Sequence, residues 1–308
     1  MTTMTTPVSR PVASGRRCVP WSRLAWVTWR QHRVALAGVI AVLGVAGVYL
    51  LIMGLEVHSA YDRWNACRPA GSAACVQLRQ AFESFYGSQQ GSVTSSGINA
   101  QTVPFLLLAL PVLLGIFFGA PVVARELESG TFRFAWTQGC GRLRWAVTKL
   151  VVLAVALTAI AYAFSVLFGW YISPFVASGK TGEFPMQLFG NLGVAFAAWT
   201  LLAFAMSAFA GALIRRVVPA MAATLVVWTV LDVTTMMAIR QHYMTPLTVS
   251  GANQPSGNSW VLSQVHNAWL YQPGNRFWPF QLIEGGWLLA LSAILIGATV
   301  WLVRRRAA

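Results

Sequence analysis

The chain has 308 residues and a net charge of +14, yet only 10% of its residues are charged and 56% are hydrophobic. Soluble domains carry about 25% charged residues, so this composition excludes the water-facing surface of a soluble globular enzyme. Its apolar residues fall into long uncharged runs, and a hydrocarbon core about 30 Å thick takes about 20 such residues per helix; the unit to count is the membrane span.

Residues 1–19 are polar, rich in Pro, Ser, Thr and Arg, and read as a disordered cytoplasmic tail. Pro20–Arg33, PWSRLAWVTWRQHR, is different. At about 100° per residue Trp21, Leu24, Ala25 and Thr28 fall on one side and Arg23 and Arg30 on the other. This predicts an interfacial helix over 20–33 lying on the inner leaflet, the alternative being a plain cytoplasmic extension of the first span. Val34–Leu55 is 22 uncharged residues, roughly 33 Å of helix and one full crossing. Five further spans are expected at 103–124, 150–173, 189–214, 217–239 and 285–303. Unbroken blocks such as LVVLAVALTAIAYAF do not alternate in polarity, so these are helices and not barrel strands.

Six spans place both termini on one side. Residues 1–33, the loop 125–149, the turn at Arg215 and Arg216, and the basic tail 304–308 together hold 16 of the 22 Lys and Arg residues. By the positive-inside rule that side is cytoplasmic, giving an N-in/C-in all-α integral membrane protein. Cations beside span ends are accounted for by anionic membrane lipid, so no nucleic-acid partner is expected. The outer loops 56–102 and 240–284 are rich in aromatic residues, among them Trp64, Phe82, Trp260, Phe277 and Phe280, which read first as interfacial anchors. Gly115 with Gly119, and Ser207 with Gly211, have the small-xxx-small spacing of closely packed helices.

Little here performs bond chemistry. Cys67 and Cys75 share the first outer loop, where the compartment permits a short disulfide, while Cys18 and Cys140 fall on the cytoplasmic side. No Cys pair has metal-ligand spacing, and the four histidines are scattered outside the spans; no metal site is expected. Gly179, Lys180 and Thr181 imitate the end of a Walker A loop, but Pro174 stands where its first glycine belongs and the segment lies outside. Asp232 is the one ionisable residue well inside a span. It reads equally as a group lining a pathway and as a carboxyl near the outer interface or bonded to Thr234, Thr235 or a neighbouring helix.

The loop Arg125–Leu150, RELESGTFRFAWTQGCGRLRWAVTKL, is the most informative segment. Gly130 ends one helix, Thr131–Gln138 forms about two turns with Phe132, Ala135 and Trp136 on one face, and Gly139 and Gly141 reverse the chain. The alternative is that this short helix rests on lipid. Together with WVTWRQHR before the first span and RFWPFQLIEGG before the last, GAPVVARELESGTFRFAWTQG resembles the type-2 permease subunits of ATP-binding-cassette (ABC) exporters, in the actinobacterial style. The resemblance implies a coupling helix at Thr131–Gln138 docking in a separate ABC ATPase subunit, an elbow helix at Pro20–Arg33, and short outer helices that re-enter the membrane before the last span. It also implies pairing with a second permease copy or a homologous permease in a bacterial plasma membrane. Glu126, Glu128, Gly130, Thr131, Phe132, Arg133 and Trp136 are then the ATPase-coupling residues, and Arg215 and Arg216 a second cytoplasmic contact. The permease itself holds no cofactor; ATP and Mg belong to the partner. The competing function is a membrane sensor or assembly subunit whose outer loops bind a ligand without transport.

Overall fold

The computed structural model describes residues 20–69, 71–87, 103–129, 142–184, 186–251, 255, 258–265 and 268–306. Helix α1 runs from Trp21 to Ala66, 46 residues without interruption. At about 1.5 Å per residue it is roughly 69 Å long, more than twice the thickness of a bilayer core. No break in the backbone divides the expected interfacial helix at 20–33 from the expected span at 34–55. Arg33 and Glu56, the charges that suggested boundaries, are exposed and do not oppose helix continuation; no proline removes a backbone donor before Pro69. The Cys67–Cys75 disulfide closes the turn that follows. Helix α2 (Ala73–Tyr86) then starts with Ser72 Oγ accepting from the Cys75 amide, an ordinary N-cap.

The expected span 103–124 is divided into α3 (Val103–Leu107) and α4 (Leu110–Ser129). Pro111 explains the break: a proline ring collides with the carbonyl four residues earlier, and that carbonyl belongs to Leu107, the last residue of α3. Helix α5 spans Arg142–Ala177, the short α6 Met186–Phe189, α7 Gly193–Ile214 and α8 Val217–Thr234. A π-helical turn, Thr235–Ile239, and a 3-10 turn, Arg240–His242, prolong α8.

Strands, not short helices, precede the final helix. β1 (Leu247–Ser250), β2 (Trp260–Val265) and β3 (Ala268–Gln272) form an antiparallel sheet in the order β1-β3-β2, with Val249 opposite Trp269 and Val261 opposite Tyr271. β-branched and aromatic residues fit a pleated, half-buried surface, and Pro246 and Pro273 bracket the segment. Helix α9 then runs from Phe277 to Arg306, beginning ahead of the expected start at Gly285.

Among the described residues five helices are long and apolar enough to cross a membrane: Trp21–Ala66, Leu143–Ala177, Gly193–Ile214, Val217–His242 and Gly274–Arg305. At the centre stands α7, whose residues from Ala195 to Thr200 are all buried, as a helix apolar on every side requires. Its largest partner is α4. A Cβ built on Gly115 would lie 2.3 Å from the Ala203 Cβ, and one on Gly119 2.5 Å from the Phe204 carbonyl oxygen; only glycine permits that approach. The core has one cluster around Phe168, Phe175 and Trp199, at the end expected from sequence to be the outer one, and another around Leu36, Val122, Leu150 and Leu302, at the end expected to be the inner one.

Candidate functional site

At the inner end, α4 and α5 present the two roots of the loop 125–149. Glu126 Oε1 lies 2.5 Å from Lys149 Nζ, with side chains 21% and 4% exposed. Glu126, expected to face a partner subunit, is thus engaged within its own chain, whereas Glu128 is exposed. Gly130, Thr131, Phe132, Arg133 and Trp136 lie outside the described residues. Arg215 and Arg216 form the tight exposed turn between α7 and α8. Arg215 adopts a left-handed conformation, φ 60°, and its amide donates to the Gly211 carbonyl, ending α7.

The outer end holds a polar network that the sequence reading passed over. Glu284 is fully buried on α9, and Arg240 reaches it from the 3-10 turn after α8. Arg240 Nε donates to Oε2 at 2.9 Å and Nη2 to Oε1 at 2.8 Å; Trp199 Nε1 donates to Oε1 at 2.9 Å and the Tyr243 hydroxyl to Oε2 at 3.2 Å. The Tyr243 oxygen in turn accepts from Trp287 Nε1 at 3.0 Å. Burial first, and the Glu284 charge second, push the Tyr243 hydroxyl above its ordinary pKa, keeping it protonated as a donor. The Arg240 guanidinium covers the Phe189 ring at 4.2 Å. Arg240 follows directly on the π turn that ends α8, an irregularity common at functional sites. In sequence, Arg240 and Glu284 stood only as the two ends of an outer loop. Charges at the margins of apolar runs look like boundaries, and nothing local connects residues 44 positions apart.

Gln281, one turn earlier on α9, accepts from the Ala195 amide at 2.8 Å and donates to the Phe189 carbonyl at 3.0 Å. It satisfies an orphan donor at the start of α7, which has no side-chain cap of its own. The outer aromatic residues are mostly core rather than lipid anchors. Phe82 and Phe280 are fully buried, and Phe184 stacks on Trp260 at 6.1 Å.

Asp232 is half-buried on α8 and lies within electrostatic reach of Arg240 and Glu284. Thr235 Oγ1 is buried without a hydrogen-bond partner, so the expected alternative of an Asp232–Thr235 bond is not formed. An apolar groove of about 390 Å³ runs between α7, α8 and α9, lined by Leu213, Val227, Leu231, Leu291 and Leu295 among others; Asp232 is outside that lining.

Apolar helices of spanning length packed around a buried central helix define a multi-pass membrane protein. The chain belongs to the ABC-2 membrane transporter related family, whose family model matches residues 40–240. The matched stretch takes in the inner ion pair, the α4–α7 contact and Arg240, and stops short of Glu284. No curated protein and no solved structure matches the chain.

Proposed function

We propose that this chain is the transmembrane permease subunit of an ABC exporter, forming the substrate pathway as a dimer and driven by a separate ATPase subunit. Membership of the ABC-2 related family is the observation that carries this reading; such permeases leave ATP hydrolysis to a partner. The chain crosses a bacterial plasma membrane six times, with α3 and α4 together supplying the second crossing and both termini cytoplasmic. The concentration of Lys and Arg at one end supports that orientation, as does the disulfide at the other, since thiols stay reduced in the cytosol. The ATPase docks on the loop 125–149, with Thr131–Gln138 as the coupling helix, Glu128, Gly130, Thr131, Phe132, Arg133 and Trp136 as its contacts, and Arg215 and Arg216 as a second contact. Closure of the ATPase pair on ATP and Mg pushes this loop and rocks the helices as rigid bodies. Asp232 borders the pathway.

Affinity purification in mild detergent tests the reading. An ABC ATPase should co-purify and hydrolyse ATP, while the isolated chain has no turnover. Specific hydrolysis by the contaminant-free chain, or a chain that recovers a kinase and no ATPase, would overturn the assignment and favour a sensor.

A further inference from the structure

An ion pair closes the base of the loop between α4 and α5, and three helices meet there. Lys149 is almost fully buried beside Glu126, and its ammonium sits 5.2 Å from the Trp145 ring, one turn earlier on α5. From α1, His32 feels the Lys149 charge, and its Nε2 is buried without a hydrogen-bond partner. Around them Leu36 of α1, Val122 and Val123 of α4, and Ala146 and Leu150 of α5 are buried in one apolar cluster. Arg144 covers the Trp21 ring at 5.3 Å, tying the start of α1 to α5 once more.

Unclasped, the roots of this loop could be displaced separately. Here separation would strand the Lys149 ammonium in an apolar pocket, a cost that one-sided loss of a buried pair always carries. Displacement of one root therefore drags the other. Because α4 is held against α7 backbone to backbone at Gly115 and Gly119, the displacement extends to the central helix.

We propose that Glu126 and Lys149 are positioning residues for transport: their pair makes α4, α5 and the inner end of α1 move as one body when a partner acts on the loop. The inference rests on the coupling reading above and adds to it the residues that carry the motion into the membrane. It asks nothing of the substrate.

The test uses the full permease–ATPase complex in lipid nanodiscs, with Cys18 and Cys140 replaced by Ser and a nitroxide attached through Gln80→Cys, an exposed site on α2. The inter-copy distance is measured without nucleotide and after vanadate trapping with ATP and Mg. Nucleotide should change the distance in the parent protein. Lys149→Met should keep hydrolysing ATP while its distance change shrinks at least about fivefold; Lys149→Arg should respond like the parent, and the exchange Glu126→Lys with Lys149→Glu should restore most of the response. A full response in Lys149→Met, or an exchanged pair no better than Lys149→Met, overturns the inference alone. Should Lys149→Met not be recovered folded, the exchanged pair decides on the same criterion. A parent complex that holds no ATPase, or shows no response to nucleotide, overturns the coupling reading and the inference together.

Discussion

Two ion pairs close two loops at opposite ends of the helix bundle, and they are built differently. The outer pair, Arg240 with Glu284, is sealed: the side chains are 2% and 0% exposed, and both carboxylate oxygens accept two hydrogen bonds each. The inner pair leaves Glu126 about a fifth exposed while burying Lys149. In a low-dielectric interior a fully satisfied network is rigid, because water cannot enter to replace a broken bond. At the inner pair water cannot reach Lys149, so parting strands one ammonium rather than dismantling a four-bond network. Similar chemistry thus makes a four-bond network at the outer end and a simpler clasp at the inner end, which still ties its helices together where the proposed ATPase acts.

Breaking the outer joint should have the largest effect. Glu284→Gln or Arg240→Met leaves a buried partner charge uncompensated and should cost about 3–5 kcal/mol, read as a large fall in the thermal unfolding midpoint of detergent-solubilised protein. Arg240→Met with Glu284→Met should lose less than the sum of the singles, because no lone charge remains. A single variant that melts like the parent protein would remove the distinction between the joints. The outer end has a second staple in the Cys67–Cys75 disulfide, which spans 8 positions. By loop-closure entropy its loss should cost about 2–3 kcal/mol, confined to the α1–α2 turn and visible as faster amide exchange in α2. Exchange that accelerates equally in α7 would show that the turn is not separate from the core.

The inner joint comes next. Lys149→Met removes the buried charge itself and leaves behind a carboxylate side chain about a fifth exposed, so its thermal cost should be about 1–3 kcal/mol, the range for loss of one hydrogen-bond partner. A loss as large as that of Glu284→Gln would reverse the comparison.

Apolar runs identify α5, α7, α8 and most of α9 from sequence, because burying a whole helix leaves an unbroken signal. Other features are hidden for particular reasons. Arg33 and Glu56 looked like boundaries of α1, but an exposed charge is no helix breaker. The break before α4 was legible in Pro111, had the residue four positions upstream been weighed. Strands β1 to β3 carry a visible β-branched and aromatic signal in Thr248, Val249, Val261 and Tyr271, but aromatic residues beside apolar runs read by default as interfacial anchors, which masks the alternation. The spacing of Gly115 and Gly119 did indicate the close contact with α7. The Arg240–Glu284 network has no local signature, since its members become neighbours only when α8 and α9 pack. Glu126 was singled out for its place in the loop, but its partner Lys149 read as the last cation before an apolar run.

The smallest expected effect separates a surface pair from both joints. Glu83 on α2 meets Lys180 Nζ at 2.6 Å and Arg79 Nε at 2.8 Å, with 31% and 58% of those partner side chains exposed. Burial alone would raise the Glu83 carboxyl pKa, but the hydrogen bonds and charges of Lys180 and Arg79 outweigh it and hold it below the ordinary carboxylate value. A carboxyl lowered by folding contributes its stability in full above the ordinary value of about 4 and loses it as pH falls through the lowered one. Docking of α2 on the end of α5 should therefore loosen slightly below pH about 4, and high salt should imitate the change because exposed pairs are screened. Glu83→Gln should remove both responses. Phe82 stacked on Phe175 at 5.2 Å and Tyr86 at 5.4 Å from the same ring depend on neither pH nor salt, so α2 should stay docked throughout. The check is amide exchange of α2 across pH and salt, with the intrinsic pH dependence of exchange divided out. Undocking of α2 at low pH, or a response that persists in Glu83→Gln, would show that the acid-sensitive group lies elsewhere.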